Sequence, residues 1–212
     1  MTVFERIAQE KIIAILRGLD GETTLKTAEA IRDGGIRLIE IPFDQTREVS
    51  FTTDKIRLVC ERLGEKGVLV GAGTVLRKEQ VRAAKEAGAE YIITPTFDAE
   101  VIREAKALEM TAMPGAMTPT EIENCYRAGA DIVKVFPADN LGTAFIKAVR
   151  GPLPYIPLAA VGGVNLENIA SFFKAGVCCV GVGGSLVNQK MIEEGDFEGI
   201  AKLAAAFVRE LK

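Results

Sequence analysis

The stretch DIVKVFPAD, Asp131 to Asp139, sets a lysine in the middle of a short apolar run. Val133 and Val135 flank Lys134, and a run of this length and composition reads as a buried strand. An ammonium inside such a strand is costly unless it is paired or gives up its proton. Whether the run belongs to a covered parallel sheet therefore bears on both the fold and the purpose of Lys134.

Seven further runs of the same kind precede or follow it. They are IIAIL (12–16), RLIEIP (37–42), VLVGA (68–72), YIITP (91–95), TAMP (111–114), IPLAAV (156–161) and VCCVGV (177–182). Between them lie segments with apolar residues at three- and four-residue spacing, such as RKEQVRAAKEAGAE, DAEVIREAKALE and TPTEIENCYRAGA. Asp98, Thr118 and Asn165 stand where helix N-caps are expected, and a glycine pair closes TTLKTAEAIRDGG. The strands are too apolar to alternate cleanly, as parallel strands covered on both faces are. Eight strand–helix alternations predict a closed (β/α)8 (TIM) barrel, with a doubly wound open sheet as the alternative. The 212 residues leave little for a second domain, so residues 1–212 read as one barrel domain.

Composition narrows the chemistry. The chain is 48% hydrophobic and 26% charged with a net charge of -3, and no basic patch stands out, which argues against a nucleic-acid partner. No stretch approaches the roughly 18 consecutive apolar residues of a membrane helix, and MTVFERIAQEK lacks the apolar run of a signal peptide. No membrane partner and a cytoplasmic location are the expectations. Cys60, Cys125, Cys178 and Cys179 form no CxxC pair and read as reduced, buried thiols. There is no histidine at all, which removes the commonest general base and the commonest metal ligand. Acid–base work must fall to carboxylates, lysine, tyrosine or water.

In a (β/α)8 barrel the chemistry sits at the C-terminal ends of the strands. Side chains two apart share a face of a strand. Ile132, Lys134 and Phe136 form one such set; Leu38, Glu40 and Pro42, Ile13, Ile15 and Arg17, and Val70, Ala72 and Thr74 form others. Each set can bring a polar residue to the barrel mouth: Lys134, Glu40, Arg17 and Thr74. A desolvated lysine has a lowered pKa, and its neutral amine can attack a ketone to form a Schiff base. Glu40, with a pKa raised by burial, can carry the protons, and Arg17 can grip a carboxylate in a bidentate fork. The competing reading makes Glu40 and Lys134 a structural ion pair and Arg17 a surface salt-bridge former.

Two glycine-rich loops add a second feature. AAVGGVN (159–165) follows the seventh strand, with a helix expected from Asn165, and VGVGGSL (180–186) follows the eighth. Loops at these two places often bind phosphate through backbone N–H groups, and glycine lets that backbone come close. Gly162, Gly163, Gly183, Gly184 and Ser185 are the candidates, against the plainer reading as tight turns. GAGT (71–74) leaves room in the mouth. Pro95 and Pro114 at strand ends read as wall residues or as loop stops.

The motifs AILRG, LIEIPF, GAGTVL, TP after the fourth strand, MPGAMTPTE, VKVFPA, VGGVN and GVGGSL occur in that order from about Ile12 to Ser185. In this the chain resembles the 2-keto-3-deoxy-6-phosphogluconate (KDPG)/4-hydroxy-2-oxoglutarate (KHG) family of class I aldolases. The resemblance implies a homotrimer of (β/α)8 barrels that uses no cofactor and no metal. It implies that a phosphorylated keto acid is cleaved to pyruvate and D-glyceraldehyde 3-phosphate, with KHG cleavage as the alternative. It implies Lys134 as the Schiff-base former, Glu40 as general acid/base, and Gly162, Gly163 and Ser185 as phosphate ligands. Thr74, Pro95 and Phe136 would line the pyruvyl end. Gluconate-type members often read E-V-T-L-R-T on the second strand, whereas this chain has Asp44 in place of that arginine. ILRG, EIP and AVGG are similar to the 6-phosphogalactonate branch, in which Arg17 would take the carboxylate. Two rivals stay open: a phosphosugar isomerase or decarboxylase, and a silent phosphometabolite-binding barrel.

Overall fold

A computed structural model describes residues 1–211. The strands are β1 (Ile12–Ile15), β2 (Leu38–Pro42), β3 (Leu69–Gly73), β4 (Tyr91–Ile93), β5 (Thr111–Met113), β6 (Gly115–Ala116), β7 (Val133–Val135), β8 (Leu158–Val161) and β9 (Cys179–Val182). All neighbours pair in parallel in the order β5-β4-β3-β2-β1-β9-β8-β7-β6. β5 and β6 are two halves of one extended segment separated only by Pro114, which has no N–H to give the ladder. β5 pairs with β4, and β6 pairs with β7. The Pro114 carbonyl itself accepts from Lys134 N at 2.8 Å, and the Ala116 carbonyl accepts from Phe136 N at 3.0 Å. One kinked strand therefore closes the ring, and the barrel has the eight strands expected. Pro114, read as a wall residue or a loop stop, is a break inside a strand.

The helices are α1 (Val3–Glu10), α2 (Gly21–Asp33), α3 (Val49–Leu63), α4 (Lys78–Glu86), α5 (Ala99–Ala107), α6 (Pro119–Arg127), α7 (Ala138–Arg150), α8 (Ile169–Ala175), α9 (Gln189–Glu193) and α10 (Phe197–Arg209). Asp98 caps α5 through the backbone N–H groups of Glu100 and Val101. Thr118 and Glu121 form a capping box on α6, with Pro119 in the first turn where its missing N–H costs nothing. The helix expected from Asn165 begins later, at Ile169. Asn165 Oδ1 instead accepts from Glu167 N and Asn168 N in an Asx turn ahead of it.

Burial divides into two layers. Most apolar residues pack between the strands and the helices. A smaller cluster fills the barrel from its N-terminal end: Ile13, Leu38, Leu69, Tyr91, Met113, Ile132 and Cys179 among others, joined by Ile7 of α1. Ile132 and Leu38 lie in this interior cluster, which places Lys134 and Glu40, two residues further along, on the inward face as expected. The third strand differs. Val70 and Ala72 face the helices, while Leu69 belongs to the interior. The parity read for β3 was therefore inverted. Gly71 and Gly73 are its inward positions, and each leaves room for a neighbour: a Cβ on Gly71 would lie 2.1 Å from the Tyr91 ring, and one on Gly73 1.8 Å from Glu40 Oε1.

Gly71→Ala tests this packing away from the mouth. The Tyr91 hydroxyl donates to the Ile39 carbonyl at 2.7 Å, so the ring is fixed at both ends. Overpacking of this kind costs about 1–3 kcal/mol, which for a chain of this length lowers Tm by roughly 3–10 °C. Scanning calorimetry reads it, and an unchanged Tm would show that the ring is not wedged.

Candidate active site

At the C-terminal ends of the strands lies a cavity of about 910 Å³. Arg17, Glu40, Thr74, Pro95, Lys134, Phe136, Gly162, Gly163, Gly183, Gly184 and Ser185 all line it, so the catalytic and binding candidates meet at one place, while Pro114 does not reach it. Gly181, Val187 and Gln189 line it too and carry no sequence signal that sets them apart. Gly73 is a further missed residue, since only the register of β3 against β2 (Pro42 beside Gly73) reveals that it faces Glu40.

Lys134 sits in the centre of β7 and is 6% exposed. Its ammonium nitrogen lies 4.5 Å from the centroid of the Phe136 ring. Burial pushes its pKa down from the usual lysine value; Glu40 opposes that shift and the like charge of Arg17 adds to it. A second buried lysine makes an instructive contrast. Lys55, on α3, is also 6% exposed with a pKa lowered by burial. Its nitrogen donates to the Leu19 carbonyl at 3.1 Å and lies over the Phe51 ring, so it is engaged in the fold. Lys134 has no acceptor among the described residues and faces the open cavity.

Glu40, on β2, is 2% exposed, and its Oε2 has no hydrogen-bond partner. Burial drives its pKa up, with the positive charges of Lys134 and then Arg17 pulling back. No salt bridge joins Glu40 to Lys134, so the structural ion pair weighed above is not formed. The two groups share one cavity without forming an ion pair, and in both the desolvation effect is the larger one.

Thr74 follows β3 with a φ of +52°, in the left-handed region that threonine rarely occupies. That turn carries its side chain into the mouth, although alternation along β3 would have sent it outward. Its hydroxyl accepts from Arg17 Nη2 at 3.3 Å. Arg17 stands two residues beyond the end of β1. Asp44 does not line the cavity; its carboxylate accepts from the Thr46 backbone N–H at 2.9 Å and from the Thr46 hydroxyl at 2.7 Å.

Backbone of the loops after β8 and β9 lines the rest of the cavity, and β9 pairs directly with β1, the strand that leads to Arg17. Gly162 and Gly163 hold left-handed φ values of 97° and 69°. The Gly163 carbonyl accepts from Asn168 Nδ2 at 2.9 Å and from Asn165 Nδ2 at 3.4 Å, and the Ser185 hydroxyl donates to the Val164 carbonyl at 2.5 Å. The backbone N–H groups of Gly163, Gly183, Gly184 and Ser185 donate to no protein acceptor among the described residues. A Cβ on Gly183 or Gly184 would meet nothing within 4 Å. Among the described residues no group of three or more Cys, Asp or Glu side chains is placed to hold a metal ion.

A parallel barrel with a desolvated amine, a desolvated carboxylate and an arginine at its mouth defines a class: barrel enzymes built for carbonyl chemistry through an amine. Comparison with known proteins makes this specific. The family model for KDPG and KHG aldolases matches residues 3–203. The chain is 38% identical over 199 residues to the 2-dehydro-3-deoxy-6-phosphogalactonate aldolase of Escherichia coli K12, covering 93% of each chain. It is 32% identical over 206 residues to the 2-dehydro-3-deoxy-phosphogluconate aldolase of Treponema pallidum, covering 96% of this chain and 95% of that one. Among solved structures it superposes on a native KDPGal structure with a TM-score of 0.84 at 37% identity, covering 94% and 93% of the two chains. It superposes on the Legionella pneumophila KDPG aldolase, with pyruvate captured as a covalent carbinolamine, with a TM-score of 0.87 at 26% identity, covering 97% and 98%. The chain belongs to the KDPG and KHG aldolase family and is a carbon–carbon lyase of that type.

The raised pKa of Glu40 has a measurable consequence for stability. Between the ordinary glutamate value of about 4.3 and its raised folded value, the folded protein holds a proton that the unfolded chain has released. Stability that depends on Glu40 therefore falls as pH rises through that window. Denaturant unfolding of the wild type and of Glu40→Gln from acid to neutral pH should show the wild type losing ground to the variant as pH rises. A difference that stays flat, or moves the other way, would contradict the desolvation of Glu40.

Proposed function

We propose that this chain reversibly cleaves a 2-keto-3-deoxy-6-phospho sugar acid to pyruvate and D-glyceraldehyde 3-phosphate by a class I mechanism. The observation that carries the reading is the unpartnered Lys134 amine in the same cavity as the unpartnered Glu40 oxygen. The neutral amine of Lys134 attacks the C2 ketone, and the carbinolamine loses water to a protonated imine. That imine draws electrons from the C3–C4 bond. The C4 hydroxyl gives up its proton as the bond breaks, releasing the aldehyde and leaving an enamine. Protonation of the enamine carbon and hydrolysis of the imine return pyruvate and free Lys134. Glu40 takes and returns the protons, a task suited to a carboxyl whose pKa burial has raised.

Arg17 and Thr74 bind the substrate carboxylate, Pro95 and Phe136 flank the pyruvyl carbons, and the loops holding Gly162, Gly163, Gly183, Gly184 and Ser185 take the phosphate. The four free backbone N–H groups support that last assignment, as does the space beside Gly183 and Gly184. The same space favours a phosphorylated substrate over 4-hydroxy-2-oxoglutarate, which would leave those donors unused. The galactonate epimer is the preferred one in this reading. Asp44 stands where a carboxylate-binding arginine would be, and the relatives from Escherichia coli and Rhizobium meliloti are named phosphogalactonate aldolases, the latter as probable. The resemblance to the family also supports a cytoplasmic homotrimer.

Incubation with pyruvate and borohydride, followed by peptide mapping, should place a reduced pyruvyl adduct on Lys134, and Lys134→Arg should abolish both adduct and cleavage. An unmodified Lys134 sinks the mechanism, and retained cleavage in the arginine variant would show that the C–C bond breaks without an imine on this residue. With the two phosphorylated epimers compared side by side, kcat/KM for the galactonate substrate should be higher by about tenfold or more.

A further inference from the structure

Thr74 is the one residue of the site whose position runs against the periodicity of its own strand. Its φ of +52° turns a side chain that alternation directs toward the helices into the mouth beside Arg17. Something outside β3 must hold that turn. The Thr74 carbonyl accepts from Gln45 Nε2 at 2.8 Å. Gln45 Oε1 accepts from Gln80 Nε2 at 3.0 Å. Gln80 Oε1 accepts from the Leu76 N–H at 2.8 Å. The chain of bonds starts on a backbone carbonyl and ends on a backbone N–H two residues later. Those two ends fix the sense of both amides: each must donate on one side and accept on the other. Gln45 comes from the loop after β2 and is exposed, whereas Gln80 comes from α4 and is 5% exposed. Gln80 thus sits between helix and sheet with both ends of its amide engaged in this relay, and a buried side-chain amide is kept where its bonds are complete.

We propose that Gln45 and Gln80 are positioning residues for substrate binding: they lock Thr74 in its left-handed turn so that its hydroxyl and Arg17 together present the carboxylate site. This rests on the aldolase reading above. Neither glutamine lines the cavity, so neither touches substrate. Their effect is on carboxylate recognition and leaves the amine chemistry at Lys134 in place. Gln80→Glu is the sharpest probe. The carboxylate keeps the size and can still accept from Leu76 N–H, but it cannot donate to Gln45. Gln45 then either faces it acceptor to acceptor or flips and loses Thr74.

The test is steady-state cleavage of the phosphorylated keto acid together with the pyruvate concentration dependence of borohydride trapping. It uses the wild type, Gln45→Ala, Gln80→Glu and Gln80→Glu combined with Thr74→Ala. The loss of one such restraint should raise KM and the half-saturating pyruvate concentration by about tenfold in each single variant, with kcat held within about threefold. Adding Thr74→Ala to Gln80→Glu should raise KM little further, since the hydroxyl is already misplaced. Gln45→Ala alters only an exposed side chain and carries the test if Gln80→Glu fails to fold. Unchanged KM in the folded variants, or a fall in kcat alone, overturns the positioning role; so does a further full-size loss from Thr74→Ala. A wild type that neither cleaves the keto acid nor traps pyruvate overturns the aldolase reading, and this role with it.

Discussion

Burying Lys134 and Glu40 side by side without letting them form an ion pair is the constraint on which the rest of the site depends. Either group alone in a dry interior relaxes toward its neutral form. In contact, the two would stabilise each other's charge, and the amine would keep its proton. Their separation leaves burial as the larger influence on both, and it is built from below. Tyr91 and the interior cluster fill the barrel up to the level of the two groups, and Gly73 gives the Glu40 carboxylate a place against the β3 backbone. Gly71 does the same for the Tyr91 ring. Two inward glycines on one strand weaken it intrinsically. Here they exchange strand stability for the room that two large inward side chains need.

The cavity holds two different kinds of hydrogen-bond donor. One is the Arg17 guanidinium; the other is a set of neutral backbone N–H groups. The difference matters for Lys134. Arg17 already lowers its pKa by like-charge repulsion, and a second cation near the phosphate loops would act in the same direction. Glu40 would lose its proton more readily beside another cation, against the raised value that proton transfer needs. Backbone donors carry no net charge, so they add no further coulombic shift to either group.

The barrel was legible in the sequence because its signal is in the strands. Each of the quoted apolar runs holds a strand, and the alternation sets of β1, β2 and β7 that could bring Arg17, Glu40 and Lys134 to the mouth are the ones that face inward. What escaped notice depended on contacts that no single segment shows. α3 hides its buried face behind Thr52, Thr53 and Lys55, so the apolar stripe is interrupted by polar residues that nonetheless pack inside. α7 is broken at Gly142, α9 has five residues, and α1 buries only Ile7. Asn165 looked like a helix start because an Asx turn and an N-cap use the same side-chain chemistry. Pro114 looked like a stop because proline cannot donate to a ladder, yet its carbonyl can accept, and Lys134 N–H uses it. The parity of β3 was misread because Thr74 reaches the mouth through a backbone turn that alternation does not anticipate.

The glycines around the cavity separate by the reason each is there. Gly73 is fixed by a neighbour, since any Cβ would strike Glu40. Gly163 is fixed twice, by its left-handed φ and by the Asp139 side chain 2.3 Å from a would-be Cβ. Gly183 and Gly184 answer to neither cause: no left-handed φ, and nothing within 4 Å of where a side chain would begin. Nothing in the chain itself calls for glycine at either position, although glycine in a loop costs conformational entropy on folding. What remains is an occupant outside the chain that must approach the backbone closely. The free N–H groups at Gly183, Gly184 and Ser185 point to its charge.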